Sequence, residues 1–202
     1  MTSLRHNSDP QAAYLDAARA CILDVGWRRT TLTEVARRAG VSRMTIYRTW
    51  PDMAAVLADL MTREWGEVVA TAVVAADGSL VGDQRATVAD HLVDIVVATT
   101  RALRDNELFV RIVELDPELL LPYLLTRRGR SQQAIAELTA ARIREGQAEG
   151  SIRDGDPVTM ARALLLAAHG FVLSGHTMID DEVTEEALDA ELAHLVRRAV
   201  TP

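Results

Sequence analysis

The sequence contains a single cysteine, Cys21, and no lysine. One cysteine excludes an internal disulfide framework and a cysteine-rich zinc site, and it suits a reducing compartment. The chain of 202 residues has only six prolines, 11 glycines and few aromatic residues, and its Ala, Leu and Arg content favours helix. No stretch alternates polar and apolar residues as a half-buried strand does. The sequence therefore predicts an all-α protein.

Long apolar runs and an apolar N-terminal segment are also absent. The N-terminus is polar and lacks the apolar core of a secretory signal peptide. The longest apolar stretch, residues 163–173, is far short of the roughly 20 residues that span a bilayer, and it includes His169. Because 49% of the residues are hydrophobic and 25% are charged, the composition is that of a folded globular protein. We therefore expect a cytoplasmic protein with no membrane partner.

Charge is distributed unevenly along the chain. All 22 basic residues are Arg; residues 1–52 carry eight of them against five acidic residues, whereas the remainder carries 14 against 24. A basic end on an acidic body can present one surface to phosphates and repel them elsewhere. Chance and Arg-rich codon usage explain a difference of this size equally well. Charge alone therefore leaves nucleic-acid binding open.

Two short helices joined by a tight turn are predicted before residue 51. Apolar residues recur at helical spacing over residues 32–39, and Gly40-Val41-Ser42 has the length and the leading glycine of a sharp turn. Ser42 then caps a helix over residues 43–49, with Ile46 and Trp50 facing inward. Its outward face can meet phosphates and base edges, as a recognition helix does in the major groove. A helical hairpin can also be purely structural, and geometry alone does not decide between the two.

Residues 26–52 carry a longer signature, GWRRTTLTEVARRAGVSRMTIYRTWPD. It resembles the DNA-binding domain of the TetR family of bacterial regulators, and the resemblance extends over roughly residues 10–61. The resemblance implies an all-helical homodimeric repressor. Its N-terminal helix-turn-helix domain would read a palindromic operator in double-stranded DNA, and a connecting helix would join it to a helical domain for effector binding and dimerisation. On this basis we predict a DNA-binding domain over residues 1–52 and an effector-binding and dimerisation domain over residues 53–202.

The resemblance also implies which residues contact DNA. Threonines at the start of the second helix and Tyr47 match phosphate contacts, and the leading end of the recognition helix matches base contacts. The predicted DNA-binding residues are Arg28, Thr31, Thr33, Ser42, Arg43, Met44, Thr45, Tyr47 and Arg48. Two positions depart from the family pattern: Thr49 replaces a frequent His, and Met53 replaces a Lys that contacts phosphate. The loss at Met53 leaves only backbone amides at that helix start, and Arg28, Arg29 or Arg48 can compensate for it.

The remaining sequence predicts further helices. The fourth helix starts at Pro51-Asp52 and reaches about Trp65, and residues 76–79 and 82–83 have loop composition. Helices follow over residues 84–104 and 107–115, and then over 118–149 with a kink near 127–131. In the family, effector pockets are lined from these middle helices. That places six residues as candidate lining positions, each of which can equally be ordinary core: Met61, Trp65, His91, Ile95, Phe109 and Tyr123.

The last two predicted helices have features of a dimer interface. Small residues recur at spacings of four, three and four on the first, and leucines form a stripe on the second. In the family these helices pair across a two-fold axis as a four-helix bundle. If the resemblance is set aside, two helices that pack together within one chain explain the same pattern. The predicted interface residues are Ala163, Ala167, Gly170, Phe171, Ser174, Leu188, Leu192 and Leu195.

Two other classes of function compete with a DNA-binding regulator. An enzyme, whether metal-binding or metabolising a small molecule, would need a catalytic pattern. The sequence has no H-E-x-x-H, no glycine-rich phosphate loop and no G-x-S-x-G, and its five histidines are scattered. We therefore predict no catalytic activity, no metal site and no cofactor. A helical protein-interaction module is the third class, and no motif supports or excludes it.

Overall fold

The computed structural model describes residues 9–79 and 86–202, and for residues 77–79 it describes the backbone alone. Within that part of the chain every regular element is helical, as the sequence predicts. The α-helices are α1 (Pro10–Val25), α2 (Leu32–Arg38), α3 (Arg43–Thr49), α4 (Met53–Ser79), α5 (Val88–Arg104), α6 (Glu107–Leu115), α7 (Leu121–Leu125), α8 (Arg130–Glu149), α9 (Pro157–Ser174) and α10 (Glu185–Val200). Short 3-10 turns cover Trp27–Arg29, Pro117–Leu119 and Gly175–Met178.

The chain forms two compact units. The first contains the residues up to Glu64 together with Glu107–Arg127, and the second contains Trp65–Asn106 and Arg128–Pro202. These units are defined by which residues contact one another in space. The predicted domain boundary, in contrast, was placed where the sequence motif ends, at residue 52. The segment that carries α6 and α7 therefore belongs with the N-terminal helices.

The core of the first unit is built around α1 and the start of α4. Ala18, Ile22 and Leu60 are fully buried in it. Asp9 caps α1 by accepting the N–H of Gln11, and Pro10 occupies the first turn, where a missing N–H costs nothing. Asp9 and Pro10 therefore specify the start of α1 locally.

The second unit contains an antiparallel pair of helices, α5 and α10, with ion pairs at both ends. At one end Arg101 and Arg104 of α5 donate to the buried carboxylate of Asp189, at 2.9 and 2.6 Å. At the other end Arg197 of α10 pairs with Asp90. Apolar side chains fill the space between, and they include Leu92, Val93, Leu192 and Val196. The charged ends fix the register of this pair, and the apolar centre supplies most of its burial.

The fourth helix is longer than predicted. It continues to Ser79, so the loop predicted at residues 76–79 is wrong; the loop predicted at residues 82–83 lies outside the described residues. Val69, Ala72 and Ala76 are buried at helical spacing along this extension. Burial of that stripe outweighs the low helix propensity of Gly78, which costs only about 1 kcal/mol.

The predicted long helix over residues 118–149 is interrupted. The chain forms the 3-10 turn Pro117–Leu119, the five-residue α7 and then α8, with extended backbone at Gly129. The side chain of Gln132 accepts the N–H of Gly129 at 2.8 Å and so holds the start of α8. The kink predicted near residues 127–131 is therefore a complete break between helices.

One helical segment of the described chain, Pro157–Met178, is long and apolar enough to span a membrane by length and composition. The mean hydropathy of its most apolar window is 1.4, and 28% of that window is buried. A single such helix is weak evidence for a membrane, because helices that pack against protein pass the same test. Its low burial nevertheless leaves an apolar surface on α9 within one copy of the chain.

Asp90 provides a pH-dependent contribution to stability. Arg197, followed by the N–H and hydroxyl of Thr87, holds the pKa of this carboxyl at about 2, below its ordinary value of 3.8. Because the folded state favours the ionised form, the contribution is present above about pH 4 and is lost as the pH falls towards 2. We expect Asp90→Asn to lower the free energy of unfolding by about 1–2 kcal/mol at pH 7, after allowance for solvent screening.

Urea unfolding followed by circular dichroism between pH 7 and pH 2 checks this expectation. The difference between parent and variant should shrink as the pH falls below about 4. Asp94→Asn, an exposed carboxylate on the same helix, is the matched control. A difference between the parent and Asp90→Asn that stays constant over the whole range would contradict the assignment.

Candidate nucleic-acid interface

The α2–turn–α3 segment has the geometry of a helix-turn-helix. Gly40 adopts a positive φ of 68°, which a residue with a side chain rarely takes, and so lets the chain leave α2 sharply. The turn closes where the N–H of Val41 donates to the carbonyl of Ala36 at 3.0 Å. Ala36 is buried, and its small side chain permits the close crossing of the helices. The predicted turn over residues 40–42 is confirmed.

Burial of one face fixes the orientation of α3. Ile46 is completely buried and Trp50, directly after the helix, is 2% exposed. The indole N–H of Trp50 donates to Asp59 of α4 at 2.7 Å, and its ring meets Tyr14 of α1 edge-on. The inward face predicted for this helix is confirmed, and three neighbouring helices contribute to holding it.

Ser42 caps α3 as predicted. Its hydroxyl oxygen accepts the N–H of Thr45 at 3.1 Å and lies 2.9 Å from the hydroxyl of Thr45. The Thr49 hydroxyl donates to the carbonyl of Thr45 at 3.1 Å. The leading turn of α3 is therefore held by its own polar side chains, and these leave the Thr45 hydroxyl in a defined position.

The outward face of α3 is exposed and unpaired. Met44 is 76% exposed and Tyr47 is 49% exposed. Arg43 and Arg48 are exposed as well, and neither forms an ion pair with any residue that the structure describes. A short helix with two unpaired cations, an aromatic hydroxyl and an apolar tip suits the phosphates and base edges of a DNA groove.

The start of α2 offers fewer free groups. Thr31 is exposed, but its hydroxyl oxygen accepts the N–H of Glu34 at 3.2 Å as an N-cap, and Thr33 is half-buried. The two arginines in the last turn of α2 are also engaged. Arg37 pairs with Glu34 at 2.6 Å, and Arg38 pairs with Asp24 at 2.5 Å.

The start of α4 is capped by an acid. The Asp52 carboxylate accepts the N–H of Ala55 at 2.8 Å, and Met53 is half-buried. The missing cation at Met53 leaves only backbone amides at this helix start for a phosphate. A negative charge in front of this helix opposes that role.

Arg28 is held by carboxylates that lie about 90 residues further along the chain. Its guanidinium donates to Glu118 at 2.8 and 2.5 Å, and its Nε lies 3.4 Å from Asp116. Glu118, and to a smaller extent Asp116, raises the pKa of Arg28, which stays charged. Sequence reasoning placed Arg28 among the DNA contacts and found neither partner, because no local signal links the two segments.

The six residues predicted to line an effector pocket divide between the two units. In the first unit Phe109 is buried and Met61 packs partly buried on the core, while Tyr123 is half-buried with the guanidinium of Arg127 5.1 Å from its ring centre. In the second unit three of them are half-buried: Trp65, His91 and Ile95. Each candidate keeps some core character, as the sequence allows.

Most of the residues predicted for a dimer interface lie at the surface. The four small residues of α9 that were predicted for the interface are exposed, as is Leu195 at 53%, and Phe171 and Leu188 are half-buried. The small exposed residues are Ala163, Ala167, Gly170 and Ser174. Leu192, in contrast, is fully buried in the core of its own unit. The side-chain period of α10 turns Leu192 towards α5, and we remove it from the candidate interface.

Titratable side chains do not form a candidate metal site in the described residues. No cluster of three His, Cys, Asp or Glu side chains there could hold a metal ion. Burial raises the pKa of the Cys21 thiol, which keeps it protonated near neutral pH. Burial likewise lowers the pKa of His169, which favours its neutral form. Both residues therefore have the properties of core side chains.

Comparison with known proteins agrees with the geometry of α2 and α3. The profile of bacterial regulatory proteins of the tetR family matches residues 15–60. An uncharacterized HTH-type transcriptional regulator of Mycobacterium tuberculosis strain H37Rv is 36% identical over 187 residues, which are 93% of this chain and 92% of the relative.

Two solved structures share the fold at low identity. The Rhodococcus erythropolis transcriptional repressor QsdR has a TM-score of 0.66 and 14% identity, over 95% of this chain and 94% of that chain. The regulator FadR of Bacillus subtilis, in complex with stearoyl-CoA, has a TM-score of 0.62 and 18% identity, over 93% and 98%. With the helix-turn-helix and a 36% identical regulator that matches nearly the whole chain, these findings show that the chain belongs to the TetR family of transcriptional regulators.

Proposed function

We propose that the chain is a cytoplasmic homodimeric repressor that binds a palindromic operator and is released by a small-molecule effector. The exposed face of α3 carries the proposal, because two unpaired arginines, Met44 and Tyr47 project from a helix whose other face is locked into a core. Two such helices in a symmetric dimer enter successive major grooves when they stand about 34–36 Å apart, one duplex turn.

A mobility-shift assay on the DNA upstream of the chain's own gene tests the proposal. We expect a discrete complex that weakens steeply as salt rises, because phosphate contacts release counterions. An enzyme or a protein-interaction module would give no sequence-specific complex. Failure to bind this DNA, together with failure to select any sequence from a random pool, would reject the proposed function.

Individual residues of α3 should determine sequence preference. Replacing Arg43 or Thr45 with Ala should weaken operator binding by about 1–3 kcal/mol and relax the base preference at one position of each half-site. Thr31→Ala should weaken binding to operator and random DNA alike, since a phosphate contact carries no sequence information. Titrations of both DNAs measure these effects. Equal losses on the two DNAs for all three variants would contradict the assignment.

The exposed small-residue face of α9 supports the homodimer. Among the residues that the structure describes, no neighbouring atom lies within 4 Å of a Cβ atom built at Gly170, so the protomer leaves open space beside this position. We expect Gly170→Leu to give monomers or aggregates, because helices packed closely across an interface cannot accept the added volume.

Light scattering measures the mass of this variant. Gly66→Leu is the matched control, since Gly66 is also an exposed helical glycine with no atom within 4 Å of its Cβ position. The Gly66→Leu variant makes the same change in helix propensity, but on α4 and not on α9. Dimers of unchanged stability for both variants would place the interface elsewhere.

The effector half of the proposal is supported by the fold shared with FadR, whose structure contains stearoyl-CoA. Three tryptophans, three tyrosines and two phenylalanines in the whole chain argue against an aromatic cage for a large flat cation. A thermal-shift screen against a metabolite library, followed by release of the protein–DNA complex, identifies the ligand class. By reciprocity, operator DNA must weaken effector binding by the same factor.

A further inference from the structure

The turn between α1 and α2 rests on the corner that follows α6, within the first unit. Gly26 begins this turn with a φ of 81°, and a Cβ atom there would lie 3.1 Å from the Leu115 side chain and 3.5 Å from Asp116. Glycine thus allows the two backbones to approach closely. The buried Asp116 carboxylate accepts the N–H of Trp27 at 2.9 Å.

The Asp116 contact places the next residue, Arg28, beside a second carboxylate. The Arg28 side chain is 69% exposed, and Nε and Nη2 both donate to one oxygen of Glu118, which is 43% exposed. A backbone hydrogen bond at Glu118, followed by the hydrogen bond from Arg28, lowers the pKa of the Glu118 carboxyl, so the pair is fully charged at neutral pH. Because both side chains are exposed, the pair is weak and can be exchanged for another anion.

The setting of Arg28 suggests which anion competes for it. Arg28 lies three residues before Thr31, the N-cap of α2, for which we propose a phosphate contact. A phosphate and the Glu118 carboxylate are the same kind of acceptor for a guanidinium fork. Both cannot take the same two N–H groups at once.

We propose that Glu118 competes with DNA phosphate for Arg28, so that the chain binds DNA with one cation fewer than its sequence offers. The inference rests on the proposed DNA binding. Glu118 thereby restrains the affinity for DNA of any sequence and leaves base reading by α3 unchanged. When the Glu118 carboxylate is removed, Nε of Arg28 stays 3.4 Å from Asp116, and Nη2 is released for a phosphate contact.

Binding of Glu118→Gln to a random-sequence duplex at 50–200 mM salt tests the proposal, since no operator needs to be known. The variant should bind several-fold more tightly than the parent. The proposed homodimer carries two copies of Arg28, so the log–log salt slope should be steeper by about 1.8, about 0.9 for each added phosphate contact. It should therefore lose about 12-fold more affinity than the parent does between 50 and 200 mM salt.

A double-mutant cycle separates competition from a general change in charge. In an Arg28→Ala background, Glu118→Gln should give no steeper slope, because the cation it would release is gone. Glu114→Gln is the charge-matched control: Glu114 is exposed on the neighbouring α6 and makes no contact with Arg28. It should leave the slope of the parent unchanged. Circular dichroism confirms that each variant is folded.

Several outcomes would overturn the proposal. Weaker binding by Glu118→Gln would mean that the pair orients Arg28 towards DNA, and an unchanged slope would mean that Arg28 does not reach phosphate. A gain that persists in the Arg28→Ala background, or that Glu114→Gln reproduces, would reduce the effect to net charge. If the parent binds neither random nor operator DNA, the proposed function has failed and the inference falls with it.

Discussion

The burial of Ile46 and Trp50 is the constraint on which the DNA-binding unit depends. An isolated helix of seven residues is unstable in water, because nucleation costs more than so few hydrogen bonds return. α3 exists because one face is sealed against α1, α2 and α4, and because Asp59 accepts the indole N–H of Trp50, which would otherwise lose its water partner on burial. The opposite face is then free to carry groups that have no structural role. Exposure of Met44 and Tyr47 is a consequence of this division of the helix.

Features specified by nearby residues could be predicted from the sequence. The cap at Ser42 and the positive φ of Gly40 each depend on groups within a few residues, and the inward position of Ile46 follows the helical spacing of apolar residues. A cap needs a hydroxyl next to a free amide, and a sharp turn needs a residue without Cβ. Local rules therefore sufficed for the helix-turn-helix, and the family resemblance added the expected roles of the outward residues.

Features specified by distant residues could not be predicted. Gly78 reads locally as part of a loop, yet Val69, Ala72 and Ala76 find a buried surface and the helix continues past it. Arg28 reads locally as an available cation, yet Asp116 and Glu118 meet it in space. At Gly78 tertiary burial outweighs a local preference of about 1 kcal/mol. In both cases the deciding contact is distant in sequence, and single-sequence reasoning has no access to it.

The pairing of arginines also changes how the basic end of the chain should be understood. Arg19, Arg28, Arg37 and Arg38 all contact carboxylates of the same unit, so their charges are largely compensated before DNA arrives. A surplus counted along the sequence includes them and overstates the number of cations available to phosphate. Arg43 and Arg48 of α3, in contrast, have no carboxylate partner in the described part of this unit. In the proposed complex, the uncompensated charge on α3 favours correct orientation over indiscriminate attraction to DNA.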